Sequence, residues 1–142
     1  MSRVSYRQAL LGFNLFLGVT AVAGGLALLL GWMSLPLSSL AGSPFPDYTI
    51  PAWLLVVAVG GPALAASGLV VVRVERGIVA SLVSGTAIIT YEIVEWNVFG
   101  FSVLLAVYIG IGAAILALAA FTEFEERATH PPHFGLPSHA SR

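Results

Sequence analysis

The chain has 142 residues, of which 58% are hydrophobic and only 9% are charged, and its mean hydropathy is +0.94. Soluble domains carry about 25% charged residues, so this composition predicts an integral membrane protein. The net charge of -1 gives no electrostatic basis for binding nucleic acid, and the lack of cysteine excludes thiol redox chemistry, thiolate metal sites and cysteine nucleophiles.

The first apolar stretch, residues 9–32, carries no charge and is long enough to cross a bilayer core of about 30 Å. The alternative is a signal peptide, because Arg3 and Arg7 precede the stretch and Ala21-Val22-Ala23 resembles a cleavage site. The apolar run continues well past that site, which favours a membrane helix. Residues 33–51 follow as a polar extracytoplasmic loop, whose prolines prevent a long helix and in which Asp47 is typical of a turn.

Three more apolar stretches predict membrane helices over residues 52–72, 78–97 and 102–121. Within the second helix, Gly60-Gly61-Pro62 predicts a bend, because proline has no N–H to donate. We therefore predict an all-α fold, an integral membrane bundle of four antiparallel transmembrane helices within residues 1–121. Residues 122–142 are polar and are predicted to form a disordered tail.

The basic residues predict the orientation of this bundle. All are arginine, and all fall on one side of the four-helix arrangement: Arg3, Arg7, Arg73, Arg76, Arg127 and Arg142. The positive-inside rule makes that side cytoplasmic, so both termini are predicted to be cytoplasmic in a multi-pass protein of the inner (cytoplasmic) membrane.

Small residues at helical spacing predict how the helices pack, because membrane helices associate most closely where side chains are small. Such positions occur on the first, third and fourth helices. We expect the helix contacts to involve Gly18, Gly25, Ser81, Gly85, Gly110 and Ala114.

The only acidic residues inside the predicted helices are Glu92 and Glu95, on the same face of the third helix as Ser81 and Gly85. A charge at the centre of a bilayer costs at least about 3 kcal/mol, and such groups usually face partners or water. Because no predicted membrane helix contains lysine or arginine, neutralisation must come from a proton, a bound cation, water or a hydroxyl group. Tyr108 lies at a similar height on the fourth helix, and we expect it to hydrogen-bond to Glu92.

Two interpretations of the carboxylate pair remain open. Glu92, Glu95 and Tyr108 form a candidate proton or cation site, as intramembrane carboxylates do in transporters. Alternatively, one glutamate is solvated at the membrane surface and the other is a protonated, hydrogen-bonded packing contact. No catalytic residue, cofactor or metal site is predicted, since the only histidines, His130, His133 and His139, lie in a proline-containing tail.

Several of these features occur together in one known group. Residues 41–51, the aliphatic helix and arginine turn that follow, a helix ending in Val94-Glu95, and a last helix with Tyr108 and Gly112 resemble a group of small bacterial four-span membrane proteins with no assigned function. The resemblance covers residues 35–118 and implies four-helix topology. It also implies that Glu95 is the acidic position of the group, because the position of Glu92 is usually apolar there.

These observations lead to two expectations for function. The first is a non-enzymatic membrane protein that acts by helix packing, as an accessory subunit or scaffold of a membrane assembly or as a homo-oligomer. The alternative is a small proton- or cation-coupled transporter that uses Glu92 and Glu95. The expected partners are the lipid bilayer and either other membrane protein subunits or further copies of the chain, without nucleic acid.

Overall fold

The computed structural model of the protein describes the backbone of residues 3–129 and the side chains of residues 6–128. Over this range the chain forms helices and connecting loops without β-strands. Four helices are long and apolar enough to cross a membrane. They are α1 (Arg3–Leu29), α2 (Thr49–Val72), α3 (Val74–Phe99) and α4 (Val103–Thr129). The all-helical prediction with four helices of membrane length is therefore confirmed, whereas membrane insertion and orientation stay predictions.

The four helices form an up-and-down ring. Each helix packs against the one before it, and α4 packs back against α1. α1 and α3 face each other across the centre. The interior is filled by aliphatic side chains from every helix, the largest fully buried ones being Leu10, Leu17, Val59, Val70, Ile88 and Ile115.

Glycines with positive φ end two of the helices. Gly31 (φ 70°) follows α1, and Gly100 (φ 82°) follows α3. This backbone conformation costs glycine nothing, and it lets the chain leave the helix axis within one residue. After Gly100, the hydroxyl of Ser102 accepts the N–H of Leu105 at 3.1 Å and satisfies one of the free amides in the first turn of α4.

α2 is continuous but irregular. It is α-helical over Thr49–Trp53, π-helical over Leu54–Gly60 and α-helical again over Gly61–Val72. The π-helical segment ends two residues before Pro62, and the bend expected at Gly60-Gly61-Pro62 stays a prediction. Proline interrupts the regular hydrogen-bond ladder, and the wider π turn accommodates the change.

Small residues bring neighbouring helices into backbone contact. A Cβ atom added to Gly25 on α1 would lie 2.8 Å from the carbonyl oxygen of Ala52 on α2, and one added to Gly18 would lie 3.0 Å from the amide nitrogen of Leu64. On α4, a Cβ atom at Gly112 would lie 3.1 Å from the carbonyl oxygen of Gly85 on α3. The α1–α2 and α3–α4 pairs therefore depend on the absence of side chains at these positions.

Gly110 makes no close contact within the bundle, so a helix contact at this residue stays a prediction. Gly110 is exposed, and an added Cβ atom would meet no atom within 4 Å. The buried Gly112 takes the contact with Gly85 instead. Small residues lie on both faces of α4, so their spacing alone does not identify the inner face. Ala114 is half-buried and Ser81 is fully buried.

The fourth helix also extends beyond the predicted boundary at residue 121 and continues to Thr129. The hydroxyl of Thr122 donates to the carbonyl oxygen of Leu118 at 2.7 Å, and Arg127 pairs with Glu123 one turn earlier. Such i, i+4 pairs stabilise an exposed helix end. Residues 130–142, with the three histidines and most of the predicted tail, lie outside the described residues.

Candidate functional site

The candidate site lies at the end of the bundle where the loop between α1 and α2 packs, which we call the loop end. There α3 carries Tyr91, Glu92 and Glu95, and Glu95 lies on the same side of the helix as the other two because it follows Tyr91 by four residues and Glu92 by three. Glu92 is only 4% exposed, and Tyr91 and Glu95 are half-buried. Both carboxylates belong to the part of α3 that faces other helices.

A central cavity of about 360 Å³ lies among the four helices at this level. Its polar lining comes from Thr20, Tyr91, Glu92, Glu95 and Tyr108. The remaining lining is small or aliphatic, including Ala21, Gly24, Leu28, Leu55, Ile88 and Leu105. The structure therefore brings Glu92, Glu95 and Tyr108, the three residues of the predicted proton or cation site, to the wall of one cavity.

Two further cavities meet the same side chains. A lateral cavity of about 310 Å³ lies between α2 and α3, and its wall includes the exposed residues Leu54, Val94 and Phe99. An upper cavity of about 230 Å³ lies beneath the loop. Tyr91 and Glu95 line the central, lateral and upper cavities alike. Sequence analysis overlooked Tyr91, although its i, i+4 spacing from Glu95 places both on one helical face.

The loop is attached to α3 around this site. The Tyr48 ring stacks on Phe99 with ring centroids 6.0 Å apart, and the Tyr48 hydroxyl donates to the carbonyl oxygen of Pro36 at 3.1 Å. The stacking of Tyr48 on Phe99 places the loop over the upper cavity. The Tyr91 hydroxyl also donates to the carbonyl oxygen of Pro51, in the first turn of α2, at 3.4 Å.

The expected hydrogen bond between Glu92 and Tyr108 is not formed. Both residues line the central cavity, but no hydrogen bond joins them, and among the described residues no group donates one to Glu92 or Glu95. The hydrogen bond was expected because Glu92 on α3 and Tyr108 on α4 lie at similar heights along their helices, which implies contact only if the two helices pack closely there. At this height a cavity lies between the helices instead. The interpretation of Glu92 as a hydrogen-bonded packing contact therefore lacks a partner within the described part of the chain.

The titratable lining of the site is acidic. No arginine lines any of the three cavities, while two carboxylates line the central one. Ionised carboxylates only accept hydrogen bonds, so this lining favours protons and cations and disfavours anions. The described residues contain no group of three or more His, Cys, Asp or Glu residues suited to holding a metal ion.

A second polar cluster lies near the middle of the bundle. The side-chain amide of Asn14, fully buried on α1, donates to the Ser81 hydroxyl on α3 at 3.0 Å and to the carbonyl oxygen of Leu10 at 2.9 Å. The Ser84 hydroxyl donates to the Asn14 side-chain oxygen at 2.6 Å. Every side-chain atom of this cluster has a partner, which indicates a structural role in joining α1 to α3. Sequence analysis named Ser81 as a helix contact but overlooked Ser84, whose i, i+3 spacing from Ser81 was the available signal.

No family model, curated protein or solved structure matches the chain. The resemblance to small bacterial four-span proteins therefore stays a prediction.

Proposed function

We propose that this chain is a non-enzymatic, multi-pass protein of the inner (cytoplasmic) membrane that acts by helix association. It serves as an accessory subunit or scaffold of a membrane assembly, or it forms a homo-oligomer. In this proposal the arginine-bearing end of the bundle is cytoplasmic, as the positive-inside rule predicts.

The observation that supports helix association is the outer face of α4. Ala106, Gly110, Ala113, Ala117 and Ala120 are all exposed, and they follow one another at spacings of three or four residues. They form a surface about 21 Å long without a large side chain. The close backbone contacts inside the bundle are made at other glycines, including Gly18, Gly25, Gly85 and Gly112, so this exposed surface is available to a second helix. Close backbone approach is the main source of stability between helices in lipid.

The test is to extract the protein gently from its native membrane and to determine the mass and protein composition of the particle. The expected result is either a stoichiometric partner or more than one copy of the chain. A particle containing a single copy and no other protein would contradict the proposal.

A matched pair of variants tests the role of α4. Gly110→Leu is expected to dissociate the particle, whereas Gly110→Ala is expected to retain it. Both should fold, because a side chain added at Gly110 meets no atom of the same chain within 4 Å at its first carbon. Equal association of the two variants would place the interface elsewhere.

A second candidate function is a small proton- or cation-coupled transporter. The observation that favours it is Glu92, a carboxylate 4% exposed that lines a cavity and accepts no hydrogen bond from the described residues. Buried intramembrane carboxylates of this kind commonly mark ion or substrate pathways. Four helices leave little room for a transport pathway within one chain. Dimerisation through α4 would therefore also serve a transporter, because a second copy could complete the pathway.

Reconstituted vesicles test the transport candidate. Flux driven by a pH or cation gradient is expected for the wild-type protein and is expected to be lost in Glu92→Gln and Glu95→Gln. Glu75→Gln, an exposed glutamate at the opposite end of the bundle, provides the control. Absence of flux across a broad substrate panel, or equal flux in all three variants, would contradict it.

A further inference from the structure

We propose that the central and lateral cavities together bind an amphiphilic organic cation, an amine or quaternary ammonium group on an apolar body, with the cationic group held by Glu92 and Glu95. This inference names the substrate class for the second candidate function, transport. It rests on that function because both use Glu92 and Glu95, but a ligand can bind there without being transported.

The charge of the ligand follows from the lining of the central cavity. Glu92 and Glu95 both face it, no basic side chain lines it, and Glu92, although only 4% exposed, accepts no hydrogen bond from the described residues. No described side-chain oxygen is both fully buried and without a partner, so the oxygens of Glu92 are accessible from the cavity. A carboxylate that faces so apolar a cavity is stabilised by a positively charged partner. A cationic ligand supplies that partner, and an anionic ligand adds to the repulsion.

The apolar body follows from the rest of the lining. Hard metal ions prefer six or more oxygen ligands, whereas most of the central cavity is aliphatic. An ammonium group with an attached hydrocarbon matches both parts of this surface. The rings of Tyr91 and Tyr108 add aromatic surface suited to ammonium groups. Volumes of about 360 Å³ and 310 Å³ are also typical of small-molecule sites.

The route into the site follows from the π-helical segment of α2. Leu54 and Ala58 of this segment line the lateral cavity, while Leu55 between them lines the central cavity. Leu54 and Ala58 are exposed on the outer surface of the bundle. Because Glu95 lines both cavities, an amphiphile dissolved in the bilayer can reach the carboxylate from the side with its apolar body still in the lateral cavity. Such π-helical segments occur frequently at functional sites.

The first experiment measures binding to the full chain in phosphatidylcholine nanodiscs by titration calorimetry, with empty nanodiscs subtracted. The probes are phenylbutylamine, phenylbutanol and phenylbutyrate, which share an apolar body and differ in charge. The amine is expected to bind saturably at one molecule per chain. The alcohol is expected to bind about tenfold more weakly or worse, and the acid is expected not to bind, because only the ammonium group pairs with the carboxylates. Equal binding of amine and alcohol would overturn the proposal.

The second experiment locates the site. Glu92→Gln and Glu95→Gln are each expected to weaken amine binding by about tenfold or more, while Glu75→Gln leaves it unchanged. Gly24→Leu keeps both carboxylates and fills the central cavity. A Cβ atom at Gly24 would lie at an ordinary 3.6 Å from Leu55 Cδ2, so the bundle tolerates its first carbon. This variant is expected to lose binding, and wild-type affinity in it would overturn the proposal.

Thermal melting of each variant checks its folding, and if a glutamine variant does not fold, the probe series and Gly24→Leu decide the result.

The result for ligand binding can be distinguished from the result for transport. Amine binding without flux removes transport and leaves the binding site. Absence of amine binding overturns the binding site even where proton flux is measured.

Discussion

At the scale of single residues, Asn14 is the polar group whose removal most directly tests bundle stability. Its amide and carbonyl groups both bond across to α3, through Ser81 and Ser84. Asn14→Ala is expected to lower the free energy of unfolding by about 1–2 kcal/mol, because two interhelical hydrogen bonds are lost and a small void remains. Reversible unfolding in mixed micelles measures the change.

The matched control for Asn14 is Asn97. Its exposed side chain donates only to the carbonyl oxygen of Ile93, one turn earlier on the same helix, at 2.7 Å. Asn97→Ala is expected to leave the unfolding free energy nearly unchanged. If the two variants were equally stable, the buried cluster would not be what joins α1 to α3.

Gly110 and Gly112 lie two residues apart on α4, and we expect them to differ in how well they tolerate substitution by alanine. A Cβ atom at Gly112 would lie 2.7 Å from Ile89 Cγ1 and 2.8 Å from Ile88 Cγ2, so Gly112→Ala is expected to destabilise the bundle by about 1–3 kcal/mol. Gly110→Ala adds a methyl group in open space and is expected to be neutral or to stabilise by up to about 1 kcal/mol. The same unfolding measurement compares them. Equal losses of stability would mean that α4 is rotated from the orientation described here.

At the scale of helices, Arg7 on α1 stabilises the end of α2. Its Nε donates to the carbonyl oxygen of Val70 at 2.9 Å, and its Nη2 donates to that of Val71 at 2.6 Å. The last carbonyls of a helix have no partners within the helix, and a cation there also interacts favourably with the helix dipole. The turn that follows is tight, because Arg73 alone separates α2 from α3.

Arg7→Gln is therefore expected to destabilise the end of α2 by about 1–3 kcal/mol. Hydrogen exchange of the backbone amides near Val72 and Arg73 should become faster, while exchange in the middle of α2 stays slow. Arg76→Gln makes the same change in charge at an exposed position and serves as the control. Equal effects of the two substitutions would mean that net charge, not the contact with Val70 and Val71, accounts for the change.

At the scale of the whole molecule, the lack of cysteine makes the predicted orientation directly measurable. Ser39 lies exposed in the loop, and Glu75 lies exposed in the turn at the opposite end. Ser39→Cys is expected to react with a membrane-impermeant maleimide in intact cells. Glu75→Cys is expected to react only after permeabilisation, because the arginine-bearing end is predicted to be cytoplasmic. The opposite labelling pattern would reverse the orientation.

The whole molecule is also asymmetric in its polarity. The loop end contains the two carboxylates and the three cavities that Tyr91 and Glu95 line, whereas the arginine-bearing end contains the contact that anchors α2. Residues that stabilise the bundle are therefore largely separate from those of the proposed ligand site. This separation is why stability and ligand binding can be tested with different variants.

The number of helices follows from the sequence alone, since each apolar stretch long enough to cross a membrane is separated from the next by prolines, charges or glycine. It also placed Glu92 and Glu95 on one face of the third helix, because helical spacing is a local property. Helical spacing could not identify which face of α4 packs inside the bundle. Gly110, Gly112 and Ala113 are all small, so the sequence offers several equivalent faces to a neighbouring helix.

The surroundings of the two carboxylates depend on how the four helices pack. The position of Tyr108 relative to Glu92 depends on how far α3 and α4 separate, and the cavities are bounded by the π-helical segment of α2 and by the loop. These distances result from contacts between residues far apart in the chain, which helical periodicity does not specify. The sequence therefore identified Glu92 and Glu95. The packing of the four helices leaves a cavity beside them, where the sequence had predicted a hydrogen bond from Tyr108 to Glu92.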